Sequence, residues 1–140
     1  MTDVFVDTSA LIALVHSRDK YHSQAVEVAE QFQQARTHLV TTNLVMGEAV
    51  NLLKNWQLHH LAIRLMDSLQ SARDQGSLEL IFVDEQLWLL GWELMKQRPD
   101  KDWSLTDCIS FVVMQDRGIQ AALTADLHFA QAGFHPLLKR

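Results

Sequence analysis

Short apolar runs alternate along this chain with longer stretches whose apolar residues recur at helical spacing. Val4-Phe5-Val6 is too short for a helix and rich in strand-favouring residues, so it predicts a first strand. TSALIALV follows Asp7 as a first helix that Thr8 or Ser9 can cap, and a second helix runs from about Tyr21 to Arg36. His38 to Thr41 predicts a second strand, with Asn43 as the cap of the helix LVMGEAVNLLKNW. Leu58, Leu61, Ala62, Leu65, Leu69 and Ala72 form an apolar helical stripe that Gly76 ends. Leu78 to Val83 predicts a third strand, and Asp84 caps EQLWLLGWELMKQ ahead of Pro99. Ser104 opens SLTDCISFVVMQDRG, where Leu105, Cys108, Ile109, Val112 and Val113 make a buried stripe and Gly118 is the stop. Ala121 to Ala125 is a fourth strand, Asp126 starts a short helix closing near Gly133, and Phe134 to Leu138 forms a last edge strand.

Strands separated by helices in this order imply right-handed crossovers and a mostly parallel sheet covered on both faces, an α/β fold. No repeat, low-complexity tract or linker interrupts it, so residues 1–140 are expected to form one domain. In such sheets ligands bind beyond the carboxyl ends of the strands. The residues expected there are acidic. Asp7 follows the first strand and Asp126 the fourth, Glu48 lies a turn into the helix after the second, and Asp107 lies in the first turn after Ser104. Each has an ordinary reading as well. Asp7, Asp126 and Asp84 suit helix caps, Asp107 stands three residues after Ser104 as in a capping box, and Glu48 can face solvent.

Together they change the picture. Two carboxylates about 4 Å apart repel by roughly 4 kcal/mol at an effective dielectric near 20, and a hard divalent cation turns that conflict into binding. Oxygen ligands without His or Cys favour Mg²⁺ or Mn²⁺, and the chemistry that follows is metal-assisted hydrolysis of a phosphodiester. The seven histidines show no HExxH spacing, which argues against zinc, and no glycine-rich nucleotide loop or G-x-S-x-G elbow is present. Cys108 reads as core, Trp88 and Trp92 as core or dimer contact, and Arg98 and Lys101 as a solvated loop. A net charge of −5 excludes a sequence-blind nucleic-acid coat. The lone cysteine suits a reducing cytoplasm, no run is apolar enough to span a membrane, and MTDVFVD does not read as an export signal.

VDTSALIAL, TTNLVMGEAVNLL, SLTDCISFVVMQDRGI and ALTADLHFAQAGF, in this order, resemble the PIN domain, and more closely the toxin ribonucleases of the virulence-associated protein C (VapC) type. The resemblance implies a three-layer α/β/α sandwich and an acidic site that binds Mg²⁺ or Mn²⁺ and cuts RNA. Carried over by motif, Asp7, Glu48 and Asp107 match the main acidic positions and Asp126 the more variable fourth. Thr8, Thr106 and Thr124 match small polar residues that support the site, and Asp102 stays outside it. The resemblance also implies a homodimer and an antitoxin partner. Two rivals remain: a PIN-like module that binds RNA or protein without cutting, and a doubly wound phosphatase or phospho-accepting domain. The latter wants paired acids at the first strand and a Lys after a late one, and the sequence offers Asp3 before that strand and no late Lys until Lys139.

Overall fold

Val4, Phe5 and Val6 are all buried, because a computed structural model describing residues 3–139 places them in the middle strand of a five-stranded sheet. Met1, Thr2 and Arg140 lie outside the described residues, so the start of the amino-terminal stretch read for export, and both ends of the 1–140 domain expectation, fall there. The strands are β1 (Val4–Val6), β2 (Leu39–Thr42), β3 (Leu78–Ile81), β4 (Ala121–Leu123) and β5 (His135–Pro136). The helices are α1 (Thr8–Val15), α2 (His22–Ala35), α3 (Asn43–Asn55), α4 (His59–Asp74), α5 (Glu85–Gln97), α6 (Leu105–Arg117) and α7 (Leu127–Gln131).

The strand order is β3-β2-β1-β4-β5 and every described pairing is parallel, with Phe5 opposite Val40 on one side and Ala122 on the other. From β1 the chain winds outward through β2 to β3, then crosses back to β4 and on to β5. Right-handed crossovers in these two directions put their helices on opposite faces. The helix contacts agree, since α1 to α4 touch one another and α5 to α7 form a second group. The result is a three-layer α/β/α sandwich. Its winding reverses between β1 and β4, which leaves a crevice at their carboxyl ends.

Phe5, Leu11, Val40, Leu53, Met114 and Phe129 fill the core with almost no exposure. Phe111 meets Trp103 and Phe129 edge to face at centroid distances of 5.1 and 5.0 Å, and the Trp103 indole N–H donates to Gln131 Oε1 at 3.1 Å. Cys108 is buried in the same core, and burial pushes its thiol pKa up. Of the expected stripe of α6, Cys108, Ile109 and Val113 are buried while Leu105 and Val112 are only half-buried, and Ser110, Phe111 and Met114 are covered instead. One glycine is essential to that packing. A Cβ on Gly91 of α5 would lie 2.3 Å from Ile109 Cγ1 and 3.2 Å from Ile109 Cα. Gly91→Ala is therefore expected to destabilise by about 1 kcal/mol or more in thermal unfolding, overpacking outweighing the gain in helix propensity.

Several local expectations are corrected. Thr42, not Asn43, is the N-cap of α3, its hydroxyl accepting the Val45 N–H at 3.2 Å. Asn43 is the first helical residue, and its side-chain oxygen accepts the Val83 N–H at 2.8 Å. That bond holds the chain past β3 and helps end the strand at Ile81 rather than Val83. β4 and β5 are likewise shorter than the runs 121–125 and 134–138. Of the two readings of Trp88 and Trp92, core and dimer contact, the first fails, since they are 45% and 46% exposed on α5. Arg98 and Lys101 stay in a loop, where Arg98 pairs with Asp100 at 3.0 Å and stacks on Trp103.

Candidate active site

The crevice at the β1/β4 switch contains a pocket of about 330 Å³ into which four separate parts of the chain deliver carboxylates. Asp7 comes from the end of β1, Glu48 from α3, Asp107 from α6 and Asp126 from the turn after β4. All four acids expected at the strand ends line it, together with Thr8, Ser9, Ile12, Asp19, Tyr21, Leu52 and Trp56. Three roomier grooves, of about 840, 860 and 470 Å³, lie elsewhere and hold none of these acids. The small pocket is the chemically distinctive one.

The ordinary cap reading separates the acids from one another. Asp7 occupies the N-cap position of α1 but makes no side-chain cap bond and is only 5% exposed. Its Oδ2 instead accepts the Thr124 hydroxyl at 2.9 Å. That hydroxyl has one proton, so it receives the Asp126 N–H at 3.0 Å and the Ser9 hydroxyl at 3.2 Å as acceptor, while Ser9 Oγ accepts the Ala125 N–H at 3.1 Å. A relay of two hydroxyls thus fixes the orientation of one buried carboxylate. Burial, aided by the charges of Asp107 and Asp126, pushes the Asp7 carboxyl up to about 7, against the lowering effect of the Thr8 N–H and the Thr124 hydroxyl.

Asp107 and Asp126 do both jobs. Asp126 caps α7, its Oδ1 accepting the His128 N–H at 2.9 Å. Asp107, 8% exposed, completes a capping box: its N–H donates to Ser104 Oγ at 3.0 Å and its Oδ2 accepts the Ser104 N–H at 3.1 Å. The same Oδ2 lies 2.9 Å from His128 Nδ1, which must carry the proton because a carboxylate only accepts. Asp126 Oδ1 stands 3.5 Å from that nitrogen. Glu48 is exposed at the pocket wall. Asp84 caps α5 through the Leu87 N–H at 2.8 Å, away from the pocket, and Asp102 is exposed outside it.

Of the supporting threonines, Thr124 is at the site and Thr8 lines it, whereas Thr106 does not reach the pocket wall and its carbonyl accepts the Ser110 hydroxyl. Ser9, read from the sequence only as a possible cap of α1, instead joins the site, and His128 carried no site reading at all. For His128 the available signal was its place two residues beyond Asp126, opposite a second acid that only the fold brings near.

These groups suit a hard divalent ion. The donors are mainly carboxylate oxygens, buried Asp7 gains a counter-charge, and the buried Thr8 Oγ1 has no hydrogen-bond partner among the described residues. Single ligand atoms of Asp107, Asp126 and His128 also lie within 4.8 Å of one another. With Nδ1 donating, His128 orients Asp107 rather than competing for the ion. His128→Asn keeps an N–H close to the Nδ1 position and is expected to hold Mn²⁺ within about twofold of the unsubstituted protein. His128→Leu is expected to weaken it about tenfold or more in calorimetry.

The sequence profile of the PIN domain matches residues 4–135. The chain is 30% identical over 131 residues to the 23S rRNA-specific endonuclease VapC20 of two Mycobacterium tuberculosis strains, covering 94% of this chain and 95% of that protein. The crystal structure of M. tuberculosis VapC20, a sarcin-ricin loop cleaving toxin, superposes with a TM-score of 0.80 at 28% identity, over 94% of this chain and 96% of that one. PAE2754 from Pyrobaculum aerophilum, at 20% identity and a TM-score of 0.59, covers 97% of this chain and 90% of its own and shares the fold.

Proposed function

The chain belongs to the PIN domain family, and from that premise we propose that it is a metal-dependent endoribonuclease acting as the toxin of a toxin–antitoxin pair. The observation that carries this reading is the meeting of Asp7, Glu48, Asp107 and Asp126, far apart along the chain, in one pocket at the sheet's switch point. A binding module that never cuts has no use for a buried carboxylate held at a steep electrostatic cost.

Asp7, Glu48, Asp107 and Asp126 would hold Mg²⁺ or Mn²⁺, with Thr8 Oγ1 beside them. When bound, such an ion supplies Lewis-acid polarisation of the phosphodiester and activation of water. The protein's own contribution is orientation. Thr124 and Ser9 fix Asp7, while the Ser104 N–H and His128 fix Asp107, so the acids are set before substrate arrives. No residue of the pocket wall is placed as a covalent nucleophile in this reading, and the phospho-accepting alternative lacks support because no Lys lines the pocket.

RNA is the proposed substrate, with large ribosomal RNA the first to test because the M. tuberculosis relative is specific for 23S rRNA. The 840 Å³ groove, lined by Leu11, Leu14, Phe32, Leu61, Leu65 and Leu69 among others, supports an apolar helix of an antitoxin as partner. Exposed Trp88, Leu89, Trp92 and Met95 on α5 support a homodimer. One hydrophobic cluster running from Val4 to Leu138 supports a single domain across the chain. No helix among the described residues is long and apolar enough to cross a membrane, and a cytoplasmic location is part of the proposal. The test is incubation of the purified protein with total RNA in Mn²⁺, in Mg²⁺ and in EDTA. Discrete cleavage products with either ion and none in EDTA are expected, and intact RNA in all three would overturn the reading.

A further inference from the structure

The candidate pocket mixes two kinds of lining. The carboxylates Asp7, Asp19, Glu48, Asp107 and Asp126 share it with Ile12, Tyr21, Leu52 and Trp56, and no Lys or Arg lines it; Glu48, Leu52 and Trp56 recur every four residues along α3, so the tryptophan stands at the end of the row that Glu48 begins. Trp56 is 49% exposed there. It is the only tryptophan of the four that lines this pocket, since Trp103 is buried on Phe111 and Trp88 and Trp92 lie on α5.

The helix end fixes its backbone. Trp56 is the C-cap of α3, and the next residue, Gln57, turns the chain in the left-handed region with φ 65. The Gln57 and Leu58 N–H groups close that turn on the carbonyls of Lys54 and Leu53 at 3.1 and 2.8 Å. This is a helix stop in which glycine is the usual occupant. It ends α3 at Trp56 and leaves a large, half-exposed aromatic side chain at the edge of an acidic pocket.

Phosphate contacts cannot supply much of the affinity for RNA at such a place. The chain carries a net charge of −5 and the pocket wall offers five acids and no Lys or Arg. A divalent ion and the Lys20 ammonium, 5.4 Å from the centre of the Tyr21 ring, offset part of that repulsion, and uncharged groups are left to supply much of the attraction. Aromatic faces provide it by stacking on bases, which every base permits. A base inside a duplex has no face to offer, whereas an unpaired, splayed-out base does.

Resting on the ribonuclease reading, we propose that Trp56 is a nucleobase subsite that stacks an unpaired base adjoining the cleaved phosphodiester. Trp56 is a substrate-binding residue and takes no part in the chemical step. The chain thereby selects RNA in which the nucleotide next to the cut is already unstacked.

The cut is mapped in total RNA with Mn²⁺, and a short hairpin RNA is made around it. Copies carry an abasic ribose on one side or the other of the cut. Trp56→Ala is expected to raise KM about 10- to 100-fold with kcat little changed, and Trp56→Phe to recover most of the loss. One abasic copy should cost the unsubstituted protein a similar factor, and Trp56→Ala should add nothing on that copy. A Trp56→Ala effect equally large on both abasic copies, or absent on the intact hairpin, overturns the subsite while leaving the ribonuclease reading standing. Failure of the unsubstituted protein to cut total RNA removes both. Trp56 is half exposed at a helix end, so circular dichroism and thermal unfolding of the Ala and Phe variants identify any loss of fold.

Discussion

Asp7→Asn is expected to abolish metal-dependent RNA cleavage, lowering the rate by about a thousandfold or more, while the fold persists. Loss of one ligand carboxylate removes several kcal/mol of charge stabilisation, and each 1.36 kcal/mol is tenfold in rate. Asparagine is isosteric and still accepts the Thr124 hydroxyl through its amide oxygen, so the relay from Ser9 survives. Glu48→Gln is the instructive comparison. It removes charge from the same pocket, so cleavage is again expected to fall steeply, by about a hundredfold or more. Glu48 is exposed, however, and makes no hydrogen bond or ion pair among the described residues, so its removal leaves metal-free stability unchanged. Cleavage of total RNA in Mn²⁺, set beside thermal unfolding in EDTA, separates the two variants. Equal cleavage by Asp7→Asn and the unsubstituted protein would take Asp7 out of the mechanism.

The acidic rim was legible because parallel α/β topology puts every strand's carboxyl end on one edge, and an acid following a strand is then placed by the fold. Asp7 and Asp126 needed only that rule and Glu48 one further helical turn, whereas Asp107, separated from β3 by all of α5, was read from its place in the first turn of α6 and from the family motif. What the chain order does not contain is adjacency across the sheet. That β1 pairs with β4, far along the chain, decides that Thr124 reaches Asp7, and the packing of α7 against α6 decides that His128 reaches Asp107. Both bonds are long-range, and neither residue type announces its partner.

The errors have the same origin. Thr42 and Asn43 are both good cap residues in adjacent positions, and local preference does not choose between them. The choice follows from Val83, forty residues on, whose N–H takes the Asn43 side chain. For Trp88 and Trp92 pattern left core and dimer contact both open, and the inward face of α5 shows itself at Gly91, where Ile109 packs too closely to leave room for a Cβ. Trp56 sits at the end of an amphipathic helix and is unremarkable by pattern. Its place in the acidic pocket appears only once α3 is laid beside α1.

Metal-free stability is expected to fall as pH rises from about 4 to 7, opposite to the usual behaviour of a protein whose carboxylates are paired. The Asp7 carboxyl moves from 3.8 in the unfolded chain to about 7 in the fold, so between those values the native state binds the extra proton. Stability is then fully present below the unfolded value and lost as pH passes through the folded one. The change is roughly 4 kcal/mol when complete. Above pH 7 the buried carboxylate is charged and its cost is fully felt, and a divalent ion relieves it. The thermal midpoint in EDTA should therefore decline across this range. Saturating Mn²⁺ should restore it above pH 7 and do little at pH 5, where protons compete for the same oxygens. Asp7→Asn removes the titrating group, so its midpoint in EDTA should be nearly flat with pH and exceed that of the unsubstituted protein at pH 8, with no further rise in Mn²⁺ of the size the unsubstituted protein shows. A midpoint in EDTA that climbs from pH 5 to 8 in the unsubstituted protein would mean that Asp7 is charged in the fold without a cation, and that the pocket stabilises the carboxylate by other means.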